Sequence, residues 1–358
     1  DHSKPVAVYV HELLGLSQRC RTFETKHACY GASAGLTSSL DWIGSGRARG
    51  KKALVIASDI ANYGLNTPGE PTQGAGAVAM VVSDSPRLLG IDAHTIGDYT
   101  RQVMDFWRPL YSKYAIADGH YSIECYLDAL TGAREAALEN VGEIYDSVIA
   151  CLYHVPFVKM AKKAHHRELE CVLKRSLDLK SSDDQALFSE SFERLAHPWL
   201  GLNADVGNIY TGSLYLSLMD LLRQGDAAHA NQRLSLFSYG SGCGATYCLG
   251  TVSQTAHQYA QKIDPQAMLD QRRRLDVDAY EELILASEKA SSETSLNPAD
   301  YGISDGFKLR RHGGPSKTLR FCLRAGPLNQ STIEHHLIVF LALCHSASCA
   351  SKSKSAIT

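Results

Sequence analysis

Residues 23–36 read Phe-Glu-Thr-Lys-His-Ala-Cys-Tyr-Gly-Ala-Ser-Ala-Gly-Leu, and they place Cys29 directly before a run of small residues with helix-compatible spacing. The short polar segment before Cys29 is typical of a strand, so the pattern predicts a strand-to-helix turn. Unpaired N–H groups and the dipole at a helix start favour a thiolate. Because free cysteine is also among the most buried residue types, Cys29 is by position either an inert core thiol or a nucleophile.

The composition is that of an ordinary globular protein, with 358 residues, 44% hydrophobic residues and a formal net charge of −2. A chain of this length forms one large domain or two. The charge balance suggests neither a nucleic-acid partner nor a membrane surface, and no apolar run approaches the roughly 18 residues of a membrane span. The ten cysteines form no CxxC pair. We therefore expect no metal site and a reduced, cytoplasmic protein.

Apolar runs and helix boundaries predict an α/β core. Buried strands are expected at residues 53–59, 74–82, 147–153 and 233–237. Helices are expected over residues 6–16, from Cys29 to about 43, from Ser122 onward, from Pro156 onward and over 208–222. The order of strand, helix and strand indicates a layered α/β arrangement.

Three predicted loops at strand ends carry most of the candidate reactive groups. They are the Cys29 turn, His154 after the third strand, and the glycine-rich segment 238–242 after the fourth. Because α/β folds place ligands at the carboxyl ends of their strands, these loops could converge on one pocket. Cys29 would take an acyl group as a thioester, His154 could polarise a carbonyl or move a proton, and the glycine-rich segment could stabilise an oxyanion.

Each of these residues also has a simpler interpretation. A lone histidine at a strand end is often structural, and glycine loops after strands are common. Asn208, at the head of its predicted helix, is either a carbonyl contact or an N-cap. Lysines 159, 162 and 163 either hold the phosphates of an anionic substrate or form a solvated basic face.

Five motifs occur in the order found in one enzyme family: Ala-Cys-Tyr-Gly at 28–31, Gly-Glu-Pro-Thr-Gln-Gly-Ala-Gly-Ala-Val-Ala-Met at 69–80, His-Val-Pro-Phe-Val-Lys-Met at 154–160, Gly-Asn-Ile-Tyr-Thr at 207–211 and Phe-Ser-Tyr-Gly-Ser-Gly at 237–242. From residue 1 to about 305 the chain resembles the 3-hydroxy-3-methylglutaryl-CoA synthases. The resemblance implies an α/β, thiolase-like fold, layered α-β-α-β-α, with two related halves. These would be an N-terminal half at 1–84 that carries Cys29 and a C-terminal half at 85–306 with family insertions, followed by a divergent basic tail at 307–358.

The resemblance implies an acyltransferase that condenses two CoA thioesters in the mevalonate pathway. Acetyl-CoA acetylates Cys29, the acetyl methyl group loses a proton and attacks the ketone of acetoacetyl-CoA, and water hydrolyses the enzyme thioester. We expect a cytoplasmic homodimer with no cofactor beyond its CoA substrates, no metal, and neither a nucleic-acid nor a membrane partner.

The resemblance also assigns roles to individual residues. His154 engages the acetoacetyl group, Asn208 contacts the bound acyl group, and the N–H groups of Ser241 and Cys29 form the oxyanion hole. The remaining expected substrate contacts are the loop residues Tyr63, Asn66 and Thr72, together with Ser122, Tyr239 and Gly240. Lys159 and Lys163 are expected to hold CoA phosphates or pantetheine, whereas Lys162 has no such match.

Two departures from the family pattern are expected. The family's general acid/base glutamate falls shortly before the segment matching Asp1 to Lys4, so the chain is expected to be N-terminally truncated and partly inactive; neither Glu12 nor Glu24 is assigned in its place. From about residue 307 no match to the family's closing segment is found.

Two alternatives stay open. One is the related synthase of polyketide β-branching, whose substrates are presented by acyl carrier proteins. CoA thioesters are favoured as substrates instead by the segment Tyr63-Gly64-Leu65-Asn66 and by the pair Lys159 and Lys163. The other is a non-catalytic thiolase-fold protein that binds acyl-CoA.

Overall fold

The computed structural model describes residues 3–111, 114–139, 141–290, 308–311 and 319–322. The helices in these ranges are α1 Val6–Leu13, α2 Gly31–Gly44, α3 Gly119–Leu138, α4 Val158–Leu173, α5 Ser182–Leu195, α6 Gly201–Val206, α7 Gly212–Gln224, α8 Ala256–Ala260, α9 Pro265–Leu269 and α10 Val277–Ala290. The strands are β1 Ala53–Ile60, β2 Ala75–Val82, β3 Leu89–Ile91, β4 Gly97–Thr100, β5 Phe106–Trp107, β6 Ile116–Ala117, β7 Val148–Tyr153, β8 Arg233–Gly240, β9 Gly244–Val252, β10 Lys308–Arg311 and β11 Leu319–Cys322. The predicted basic tail lies outside the described residues, apart from the antiparallel pair β10 and β11.

The chain divides into two units. The smaller comprises the residues before Lys26 and those from Val277 to His336, and its described elements are α1, α10 and the β10–β11 pair. Here α1 ends at Leu13, three residues earlier than expected, and Gly15 follows with a left-handed φ of +59°. The larger unit includes residues 26–276, and every predicted site residue belongs to it.

Two sheets form the framework of the larger unit. One has β7 beside β8 and β8 beside β9, with β3 and β4 both pairing with β9. Within it β7 and β8 run parallel, whereas β8 and β9 form an antiparallel hairpin that pairs Gly240 with Gly244. The other sheet pairs β1 and β2 antiparallel. The parallel pair brings the carboxyl ends of β7 and β8 to the same edge, which positions the site described below.

Side chains alternate across the larger sheet, so it has two buried faces. On β7, Cys151 and Tyr153 join one core with residues of α3, α4 and α5, whereas Leu152 joins a second core with α7. Val78 of β2 belongs to that second core too, and α7 contacts both sheets. The elements therefore stack in the order helices, sheet, helix, sheet. Each fully buried leucine or phenylalanine in these layers contributes about 1.5–3 kcal/mol.

Three local predictions were wrong. The polar segment just before Cys29 forms no strand. The helix expected over 208–222 begins only at Gly212, because Tyr210 takes a left-handed φ of +51°, which right-handed helices exclude. Finally, the strand expected over 233–237 continues to Gly240, so Tyr239 and Gly240 belong to β8 rather than to a loop.

Candidate active site

Cys29 lies in a 3-10 turn, Ala28–Tyr30, that leads directly into α2. The turn is tight, because Ala28 has a positive φ of 29° and the N–H of Tyr30 donates to the carbonyl of His27 at 2.7 Å. Small side chains at the start of α2 let it pack deeply, with Ser33 only 4% exposed. The predicted position of Cys29 at a helix start is confirmed.

The predicted preference of Cys29 for a thiolate is wrong. Burial raises the pKa of its thiol, and the carboxylates of Asp59 and Asp105 raise it further. At neutral pH Cys29 is therefore a thiol, and its proton must leave when the sulfur attacks a carbonyl carbon.

The turn between β8 and β9 packs against the Cys29 turn. A Cβ atom on Gly240 would lie 2.7 Å from the backbone nitrogen of Tyr30, so only glycine allows this approach. Nε2 of His27 donates to the carbonyl oxygen of Ser241 at 3.1 Å. The turn that contains Ser241 and the turn that contains Cys29 therefore lie against each other.

Asp105, which the sequence reasoning missed, holds this turn in place. Its side chain is completely buried. Oδ1 accepts the N–H of Gly242 at 2.8 Å, while Oδ2 accepts the hydroxyls of Tyr239 at 2.9 Å and Ser122 at 3.1 Å. An acid within the apolar stretch Met-Asp-Phe-Trp at 104–107 is the signal that could have found it, because a buried carboxylate needs several donors. Ser122, predicted as a substrate contact, is thus tied to the glycine-rich turn.

His154 directly follows β7 and is only 2% exposed. Its N–H donates to the carbonyl of Phe237 at 2.8 Å, and its carbonyl accepts the hydroxyl of Tyr126 at 2.8 Å. Burial lowers the pKa of the imidazole to about 3. Nδ1 makes no hydrogen bond within the part of the chain that the structure describes. A neutral imidazole has one nitrogen that donates and one that accepts, so it can bind a carbonyl oxygen or pass a proton.

Asn208 joins the loop after β1 to the segment before α7. Its Nδ2 donates to the hydroxyl of Tyr63 at 2.8 Å, its Oδ1 accepts the N–H of Tyr210 at 2.9 Å, and its own N–H donates to the carbonyl of Thr72 at 2.9 Å. Burial raises the pKa of Tyr63, and the neighbouring Tyr210 and Cys29 raise it further. The structure therefore brings Tyr63, Thr72 and Asn208 together near Cys29, and Asn208 is not a helix N-cap.

The remaining predicted residues lie at the surface. Asn66 is exposed on the loop after β1, with a left-handed φ of +58°. Lys159 and Lys163 are exposed one turn apart on α4, and neither makes an ion pair with another described residue. Lys162 instead places Nζ 5.8 Å from the ring centre of Phe188. The structure thus leaves Lys159 and Lys163 available to a ligand while Lys162 has a protein contact.

The sequence matches one family over most of its length. Residues 1–86 match the family described as hydroxymethylglutaryl-coenzyme A synthase N terminal. Residues 89–171 and 174–302 match hydroxymethylglutaryl-coenzyme A synthase C terminal. The chain belongs to the hydroxymethylglutaryl-CoA synthase family. The resemblance carried by the five motifs is therefore confirmed, and with it the assignment of the chain to the acyltransferases.

Known proteins that resemble this chain support its assignment to the family. The hydroxymethylglutaryl-CoA synthase of Enterococcus faecalis is 37% identical over 308 residues, covering 86% of this chain and 75% of the relative. The structure of MvaS in complex with 3-hydroxy-3-methylglutaryl coenzyme A has a TM-score of 0.74 and 45% identity, covering 79% of this chain and 72% of that chain. The structure of the curacin biosynthetic pathway HMG synthase in complex with acetyl donor-ACP has a TM-score of 0.72 and 36% identity, covering 79% of this chain and 68% of that chain. The predicted α/β, thiolase-like fold is confirmed.

The described residues of the chain include neither a membrane-spanning helix nor a cluster of metal-ligating side chains. None of its helices in those ranges combines the length and the hydrophobicity needed to cross a bilayer. In the same ranges, no three histidine, cysteine, aspartate or glutamate side chains come together in a way that could hold a metal ion.

Proposed function

We propose that this chain condenses acetyl-CoA with acetoacetyl-CoA to 3-hydroxy-3-methylglutaryl-CoA through an acetyl group on Cys29. The packing of the Ser241 turn against the Cys29 turn carries the proposal, because it places a glycine-rich backbone segment beside the nucleophile. The neutral His154 at the end of the neighbouring strand supports it. The product thioester bound to the related MvaS supports the choice of substrates.

In the first half-reaction the sulfur of Cys29 attacks the carbonyl carbon of acetyl-CoA. CoA leaves as a thiol and takes up the cysteine proton, while the acetyl group stays on the enzyme as a thioester. The backbone N–H groups of Cys29 and Ser241 stabilise the oxyanion that forms in between. Because one thioester replaces another, the exchange is nearly isoenergetic.

In the second half-reaction the acetyl methyl group loses a proton and its carbon attacks the ketone carbon of acetoacetyl-CoA. His154 binds the oxygen of that ketone, which takes up a proton as the carbon–carbon bond forms and becomes the 3-hydroxyl group of the product. The proton acceptor is not assigned to a residue of this chain. Water then hydrolyses the thioester and frees Cys29. Further substrate contacts are Asn208, Tyr63, Asn66, Thr72, Ser122, Tyr239 and Gly240, with Lys159 and Lys163 at the CoA phosphates or pantetheine.

The proposal extends to the setting of the reaction. The protein would act in the mevalonate pathway, in the cytoplasm, as a homodimer and without a resident cofactor. The division into halves at residues 1–84 and 85–306 also stays a prediction.

Covalent labelling tests the nucleophile. The chain is incubated with acetyl-CoA that is radiolabelled in its acetyl group, denatured and digested, and label is expected on the peptide that contains Cys29. Cys29→Ser, a nearly isosteric change, should carry no label and remain folded. Absence of label from the wild-type peptide, although acetyl-CoA binds, would contradict the covalent mechanism and favour a non-catalytic acyl-CoA-binding protein.

A carrier-protein substrate is the second candidate, because the curacin pathway relative was solved with an acetyl donor-ACP. The same labelling assay separates the two when acetyl-CoA and an acetylated acyl carrier protein are compared as donors. Faster labelling from acetyl-CoA is expected, since Lys159 and Lys163 of α4 present exposed cations that form no ion pair with another described residue. Faster labelling from the acetylated carrier protein would instead assign the chain to the synthases of polyketide β-branching.

A further inference from the structure

Tyr126, a residue of α3 that the proposed reaction does not use, contacts His154 directly. The tyrosine is only 3% exposed, and its hydroxyl donates to the carbonyl oxygen of His154 at 2.8 Å. Its ring centre lies 6.3 Å from the centre of the imidazole ring. Hydroxyl and ring thus both touch the residue proposed to bind the acetoacetyl group.

The same ring packs on the strand that leads to the glycine-rich turn. Its centre is 5.2 Å from Phe237 and 5.1 Å from Tyr239, both in edge-to-face geometry. The hydroxyl of Tyr239 donates to Asp105, which also accepts the N–H of Gly242. One buried ring therefore contacts the histidine on one side and the strand before the oxyanion turn on the other.

His154 depends on its backbone for orientation. Within the described residues its hydrogen bonds are the two backbone ones, to Phe237 and from Tyr126, and its Nδ1 has no partner there. The contact to Phe237 is part of the strand pairing. The contact from Tyr126 is the one made by a side chain, and it fixes the backbone from which the imidazole projects, while the Tyr126 ring lies beside the imidazole.

We infer that Tyr126 is a positioning residue that aims His154 at the acceptor ketone and keeps it aligned with the glycine-rich turn. This inference rests on the proposed function, because it assumes that His154 binds the acetoacetyl group. Small displacements of a binding group are costly: a shift of about 1 Å can reduce a rate by roughly 100-fold. The hydroxyl of Tyr126 therefore acts on substrate recognition although it does not touch substrate.

Tyr126→Phe tests this role, because it removes the hydroxyl and keeps the ring. Affinities for acetoacetyl-CoA and for CoA are measured by calorimetry, and acetylation of Cys29 is measured by the labelling assay. We expect the variant to bind acetoacetyl-CoA about tenfold more weakly, to bind CoA within about twofold of wild type, and to acetylate Cys29 at the normal rate.

Tyr145→Phe is the matched control. Tyr145 is also buried, at 5% exposure, and its hydroxyl bonds to Nε2 of His165 at 3.2 Å, away from the proposed site. This variant loses a buried phenol hydroxyl too, but its affinity for acetoacetyl-CoA should equal that of wild type. Equal weakening by both variants, or equal weakening of both ligands by Tyr126→Phe, would show a general structural role and overturn the inference.

A double variant tests whether Tyr126 acts through His154. In a His154→Ala background, Tyr126→Phe should weaken acetoacetyl-CoA binding no further; an additional loss of about tenfold would assign Tyr126 an independent effect and reject the positioning role. The wild-type chain provides the check on the proposed function. If it neither binds acetoacetyl-CoA nor takes label on Cys29, the proposed function fails and this inference fails with it. If it does both and Tyr126→Phe is normal, the inference alone fails.

Discussion

Burial and two carboxylates disfavour the thiolate of Cys29, so acyl transfer starts from a thiol. The thiolate is the form that reacts with alkylating and oxidising agents. A raised pKa therefore protects the resting cysteine. It also fits a thioester exchange, in which the departing CoA sulfur takes up the proton that Cys29 gives up.

Asp105→Asn tests the electrostatic part of this argument. The change removes a negative charge that raises the pKa of Cys29 while keeping the shape of the side chain. We expect Cys29 to react with iodoacetamide about threefold faster at pH 8, because removal of this charge favours the thiolate by less than about 1 kcal/mol, while burial and Asp59 continue to oppose it. Peptide mass spectrometry follows Cys29 separately from the exposed Cys20.

Asp98→Asn is the control for this measurement. Asp98 accepts the hydroxyl of Thr246 at 2.6 Å and is not among the groups that raise the pKa of Cys29. Its loss should leave the alkylation rate unchanged. An unchanged rate in Asp105→Asn as well would show that the charge of Asp105 does not protect the thiol, and would leave burial and Asp59 as the causes.

At the scale of elements, the connection between β7 and α4 positions two parts of the proposed site, the imidazole of His154 and the lysines of α4. His154 follows the last residue of β7, and α4 begins at Val158, directly before Lys159. The short connection between them contains Pro156, whose fixed φ restricts the backbone. The imidazole proposed to bind the acyl group and the cations proposed to bind CoA are thus held by one rigid connection.

Replacement of the two lysines tests the role of this face of α4. Lys159→Ala combined with Lys163→Ala should weaken CoA binding about tenfold, because two cations proposed to contact phosphate are lost. Binding of pantetheine, which lacks the nucleotide phosphates, should change less than about twofold. Calorimetry at low and high salt measures both, and the loss for CoA should shrink as salt rises.

Lys162→Ala serves as the control in that experiment, since Lys162 lies near the ring of Phe188. It should bind CoA as wild type does. If Lys162→Ala weakens CoA binding as much as the double variant, the effect comes from the general charge of the helix and the two assigned lysines have no special role.

Sequence pattern predicted the elements that are continuous in the chain and missed the contacts that are not. The strands at β1, β2 and β7 were found because long apolar runs are typical of buried strands, and the Cys29 turn because small residues follow it. The break before α7 was missed because the left-handed conformation of Tyr210 has no signal in the residue type. Asp105 was missed because its donors at Ser122, Tyr239 and Gly242 are brought to it only by the fold.

At the scale of the whole molecule, the core beneath the larger sheet contains a neutral histidine in a cluster of hydroxyls. His165 of α4 is completely buried; its Nε2 hydrogen-bonds with Ser191 at 2.8 Å and Tyr145 at 3.2 Å, and its Nδ1 with Tyr153 at 3.0 Å. This cluster ties α4, α5 and β7 together. Such a network stabilises the fold only while the histidine stays uncharged.

The pH dependence of stability follows from that cluster. Burial lowers the pKa of His165 to about 3, with help from Arg194 and His166, whereas an unfolded histidine titrates near 6.5, about the usual value. Between these two values the unfolded chain binds more protons, so the free energy of unfolding falls as pH is lowered, by about 1.4 kcal/mol per pH unit for this residue. His154 has the same shift and the same sign.

His165→Gln isolates this contribution. Urea unfolding of both chains at pH 6.5 and pH 5 gives the loss of stability on acidification, which should be about 2 kcal/mol smaller in the variant because one titrating group is gone. Burial raises the pKa of Glu168, which acts in the opposite direction, but both chains keep Glu168 and its contribution cancels in the difference. An equal loss in the two chains would mean that His165 takes up no proton on unfolding in this range, and the acid sensitivity of the core would then have to come from another group.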